Sequence, residues 1–64
     1  MDIEEIKRKK VSGDLVTVSK IIGITPDSVR SSLIKENSKH HKAVCAALIT
    51  IINNREMMIN KLRQ

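Results

Sequence analysis

The stretch TVSKIIGITPDSVRSSL, Thr17–Leu33, decides how this chain folds. Val18 and Ile22 stand four residues apart, as do Val29 and Leu33, so each half carries an apolar stripe at helical spacing. Gly23 ends the first half, Ile24 lies in the turn, and Thr25 is placed to cap a new helix. Pro26 then falls at the first helical position, where its missing N–H costs nothing. The β-branched run Val16–Val18 is compatible with a strand, but no alternating partner strand exists elsewhere in the sequence. Two helices joined by a glycine turn remain. In the second, Val29 and Leu33 face inward with Ser32 beside them, while Asp27, Arg30, Ser31 and Ile34 face outward.

Working outward, Asp14 is expected to cap the first of these helices, with Leu15 opening its apolar stripe. Upstream, Asp2 has the character of an N-cap for a helix that buries Ile3 and Ile6. Glu5 stands three residues on, as in a capping box, and Met1 is set to pack on Ile6. VSGD, 11–14, ends that helix, with Gly13 supplying a positive-φ exit. Downstream, KENSKHHK, 35–42, leads through a cap at Asn37 or Ser38 into one long helix over 39–62. Val44, Ala47, Leu48, Ile51, Met58 and Leu62 form its main stripe. Cys45, Ile49, Ile52 and Ile59 widen that stripe beyond what one small core needs. Arg55 interrupts it, either where the helix leaves its own core or where it meets Glu56 of a partner chain. The expected architecture is all-α: a single domain over 1–64 with four helices, a helix pair at 14–35, and a core and dimerisation helix at 39–62.

A chain of 64 residues is near the smallest size that folds without a metal, disulfides or a partner. Phe, Tyr and Trp are absent, so Ile, Leu, Val, Ala and Met must fill the interior, and stacking of nucleic-acid bases on aromatic rings is excluded. One cysteine makes no internal disulfide, no apolar run is long enough to span a bilayer, and nothing resembles a signal peptide. A cytoplasmic protein is the expectation. The net charge of +5 is unevenly spread. Ser38–Gln64 carries Lys39, Lys42, Arg55, Lys61 and Arg63 against Glu56 alone, whereas the lysines and arginine of Lys7–Lys10 are matched by Asp2, Glu4, Glu5 and Asp14. Such a balance suits an anionic partner.

A short glycine turn lets two helices cross steeply, so that the second can enter a DNA major groove while the first lies across the backbone. Close packing at that crossing wants a small residue, here Ser19, and apolar neighbours of the turn, here Ile22 and Ile24. Through Asp14, Val18, Ser19, Ile22, Gly23, Ile24, Thr25, Val29, Ser32 and Leu33, about a third of the chain resembles the helix-turn-helix of the Cro/repressor-like family. The resemblance implies a sequence-reading helix from Pro26 to about Lys35 in a prokaryotic or phage protein that binds double-stranded DNA, usually as a homodimer. Where the family often places an amide donor, this sequence has Pro26 and Asp27.

The candidate DNA-binding residues are Thr25, Asp27, Ser28, Arg30, Ser31, Lys35, Lys39 and Lys42. Arg30 has the chemistry for a bidentate contact to guanine, and Asp27 can accept from cytosine or simply complement the helix dipole. Ser28, Ser31 and Thr25 can donate to phosphate. Lys39 and Lys42, beside the free N–H groups that open the long helix, make a phosphate site. Lys7–Lys10 occupy consecutive positions, pointing partly back towards Glu4 and Glu5, and read as a solvated face in preference to the alternative, a DNA contact. Candidate dimerisation residues are Cys45, Ile49, Ile52, Met58, Ile59 and Leu62, with Met57 and Met58 also suited to an adaptable protein contact. His41 and Cys45 lie four apart, but two ligands do not complete a zinc site. No nucleophile–base set and no phosphate-binding glycine loop is visible, so neither an enzyme nor a cofactor is expected. The competing function is a protein-interaction module that uses the apolar face of the last helix. A membrane-surface role lacks the Trp and Phe anchors it needs.

Overall fold

In the computed structural model, which describes residues 2–63, α1 (Ile3–Lys9) starts as the sequence suggests. The Asp2 carboxylate accepts from the Glu5 amide at 2.8 Å, satisfying one of the orphan donors of the first turn. The contact expected of Met1 lies outside the described residues.

α2 (Ser12–Ile22) departs from expectation at its start. Its N-cap is Val11, whose side chain has no acceptor, and Asp14 stands inside the first turn. The Asp14 carboxylate reaches back to accept from the Val11 amide at 3.0 Å, so the residue caps the helix from within. Gly13 is helical and needs no positive φ. Lys10 and Val11 make the connection from α1 in extended conformations, and Gly23 is the positive-φ residue among those described.

The central turn forms as read. Gly23 adopts φ 85°, ψ 32°, and the amides of Gly23 and Ile24 both turn back to the Ser19 carbonyl, at 2.8 and 3.1 Å. Thr25 caps α3 (Pro26–Ile34) by accepting from the Ser28 amide at 3.1 Å, with Pro26 at the first helical position. α4 (His41–Arg63) begins two residues later than the periodicity suggested, because Ser38 is occupied in a turn. Its carbonyl accepts from the His41 amide at 3.1 Å, and its hydroxyl donates to Ser32 Oγ at 3.0 Å, tying this connection to α3.

The four helices close over a wholly aliphatic core of Ile6, Leu15, Val18, Val29, Leu33, Val44, Leu48 and Ile52. α2 packs on α3 and α4, α3 packs on α4, and α1 docks on α4. Each such side chain contributes roughly 1.5–3 kcal/mol by leaving water. On α4 the innermost row is Val44, Leu48 and Ile52, flanked by half-buried Cys45, Ala47, Ile49 and Ile51. Ile52, expected on a dimer face, is therefore 1% exposed in the chain's own core. Met58 and Leu62, expected in the main stripe, lie beyond it at 62% and 79% exposure. A helix of 23 residues runs about 35 Å, longer than its three partners can cover.

Arg55 marks the last point of that cover. Its Nη1 donates to both Asp14 carboxylate oxygens at 3.0 Å, and its Nη2 donates to the Lys9 carbonyl at 2.9 Å. One side chain thus joins α4 to the α1–α2 junction, and its partner is internal rather than Glu56 of another chain. Glu56 holds Lys9 of its own chain at 2.8 Å, with Glu5 at 3.4 Å on the same ammonium. Lys9 is held above the usual lysine range, chiefly by Glu56.

Candidate nucleic-acid interface

α3 is buried along Val29, Ser32 and Leu33, and its other face is open to solvent. Asp27 and Ser31 lie at the middle of that face. At about 100° per residue, Arg30 and Ile34 fall on one flank of it and Ser28 and Lys35 on the other. All six are exposed, as are Lys39 and Lys42. The described ion pairs involve Lys9 and Arg55, so Arg30, Lys35, Lys39 and Lys42 have no carboxylate partner among the described residues.

Two of the predicted donors are partly committed. The Thr25 hydroxyl accepts from the Ser28 amide and donates to Ser28 Oγ at 2.9 Å, which makes Thr25 a cap first. Ser28 Oγ, acting there as acceptor, keeps its own proton to donate outward.

The start of α4 is held against the Ser32 side of α3. His41 Nδ1 donates to the Ser32 carbonyl at 2.8 Å, beside the Ser38–Ser32 hydroxyl contact. This fixes Ser38 and His41, the neighbours of Lys39 and Lys42 in the chain, beside Ser32 of α3. The amides of His40 and His41 turn to Ser38, the former at a long 3.4 Å. His41 also stands beside Cys45. Its Nδ1 is engaged, Nε2 lies 3.6 Å from Sγ, and no group of three metal-binding side chains occurs among the described residues. Burial pushes the Cys45 thiol up, away from thiolate chemistry.

The fold brings part of the Lys7–Lys10 run beside α3, a juxtaposition that the sequence does not show. Lys7 and Lys10 of the α1 end line a groove of about 310 Å³ together with Arg30, over a floor of Leu15, Leu33 and Ile34. Spacing gave no signal for this, because consecutive basic residues point all around a helix.

Of the proposed dimer residues, Cys45 and Ile49 are half-buried against the chain's own core and Ile52 is inside it. Met58, Ile59 and Leu62 stand free with Met57 on the projecting end of α4. No helix among the described residues is long and apolar enough to cross a membrane. Compared with known proteins, the chain matches no family model, no curated sequence and no solved structure.

Proposed function

We propose that this chain binds double-stranded DNA in a sequence-dependent way, with α3 in the major groove, as the Cro/repressor-like resemblance implies. The observation that carries this reading is the outward face of α3, exposed from Asp27 to Lys35 and flanked by unpaired cations. Affinity comes from lysine–phosphate contacts at Lys35, Lys39 and Lys42, and base choice from Arg30 with Ser31 and Asp27. Regulation follows from occupancy of the site, in a cytoplasmic setting. Homodimerisation uses the projecting end of α4, where Met58, Ile59 and Leu62 offer an apolar strip.

Fluorescence anisotropy on duplex DNA at low salt tests the surface. Arg30→Ala is expected to weaken binding by about 1–3 kcal/mol, roughly five- to 150-fold, at a preferred site. Lys39→Ala should weaken all duplexes alike. Absence of duplex binding, or indifference to both substitutions, sinks the reading.

A second reading is favoured by the same apolar strip, which suits a protein partner as well as a second copy. A monomer in sedimentation that ignores DNA would support the interaction module instead.

A further inference from the structure

We infer that Lys7 of α1 and Lys10, the residue that caps its C-terminus, are phosphate-contacting residues that serve the DNA strand opposite to the one met by Lys35, Lys39 and Lys42. This rests on the DNA-binding reading and adds a second, separately placed contact to it. The run Lys7–Lys10 is sorted by the fold. Lys9 turns to Glu56 and Glu5, whereas Lys7 and Lys10 join Arg30 around one groove whose lining contains no carboxylate. Three long cationic side chains share a floor of Leu15, Leu33 and Ile34. Long cationic side chains over an apolar floor lay their methylene stems on it and keep their charged heads in water, which restricts where the heads can go. Like charges gathered this way repel unless an anion lies between them.

Position on α3 supplies the geometry. Arg30 and Ile34 belong to one flank of the outward face, and Lys7 and Lys10 stand beside that flank. The opposite flank carries Lys35 and is backed by the α4 start, held to Ser32 through His41 and Ser38. A helix with its side chains is about 10–12 Å across, close to the width of a major groove of about 12 Å. When α3 lies in the groove, the two sugar-phosphate backbones therefore run along its two flanks. Without α1, cations would meet chiefly one strand; with it, both backbones are engaged and α3 is held level.

The test is the dependence of duplex affinity on salt, measured for the full chain on one DNA fragment. Each lost phosphate contact lowers the slope of log K against log salt by about 0.9. The Lys7→Gln/Lys10→Gln double variant is expected to lose about two contacts from the slope, and Lys7→Gln alone about one. Lys7→Arg/Lys10→Arg should keep the slope. Lys61→Gln, an exposed cation in the last turn of α4, removes the same net charge far from the groove and should leave the slope unchanged. If wild type binds duplex DNA and the Lys7→Gln and double variants keep its slope, the α1 contact is overturned while DNA binding stands. If Lys61→Gln lowers the slope as much as Lys7→Gln, the effect is one of net charge, and the contact is again overturned. If wild type does not bind duplex DNA at all, the parent reading falls instead.

Discussion

Gly13 and Gly23 lack the same side chain under opposite backbone demands. Gly13 sits in the first turn of α2 with open space where a Cβ would point, and Gly23 has equal space but φ 85°. Gly13→Ala is expected to raise stability by about 0.5–1 kcal/mol through better helix propensity. Gly23→Ala should lower it by about 1–2 kcal/mol, because an L-residue is strained there. Paired urea melts check both signs. Arg55→Ala leaves Asp14, whose side chain is 8% exposed, without its ion partner, and a loss of about 2–3 kcal/mol is expected in the same assay. Cys45 should alkylate several-fold more slowly than a cysteine in unfolded chain at pH 8, since a raised pKa leaves less thiolate; urea should abolish the difference. The turn residues were legible because Gly23, Thr25 and Pro26 act on their immediate neighbours. The Arg55–Asp14 pair was not, since it joins positions 41 apart and periodicity carries no record of what a side chain meets across the fold.

Among the elements, α2 and α3 follow from their stripes, and α4 shows where stripe reading stops. A wheel groups residues by angle alone, so Met58 and Leu62 shared a stripe with Leu48 although α1 to α3 cover only the first part of the helix. What decides burial there is distance along the axis. Ending the chain after Glu56 keeps Arg55 and the Lys9–Glu56 contact and removes only exposed side chains among the described residues. That truncation is expected to change monomer stability by less than about 1 kcal/mol, as monitored by circular dichroism, and to abolish any dimer seen in sedimentation. The start of α4 was misread for a local reason, because Ser38 spends its carbonyl and hydroxyl on a turn tied to Ser32.

At the scale of the whole molecule, eight aliphatic side chains hold the fold together. A chain of this size is stable by about 3–10 kcal/mol. Leu48→Ala, at a position with no exposure, should cost about 2–5 kcal/mol and leave a large unfolded fraction at 37 °C, visible in a thermal melt. The exposed face of α3 was legible as soon as its buried face was. The groove beside it was not, because that exists only once α1 has docked on α4 and Lys7 and Lys10 stand beside Arg30.

The unbroken course of α4 from Val44 to Leu62 also acts as a gear. Whatever is gripped at its tip is related to α3 by rotation as well as reach, since every added residue turns the tip by about 100° and advances it about 1.5 Å. Seven residues inserted after Glu56 would return the tip nearly to its original bearing, about 10 Å farther out, while five would point it almost the opposite way. In a pair of chains joined tip to tip, the distance and phase between the two α3 helices would thus be set by residue count, and lengthening by sevens would lengthen the preferred DNA site in steps.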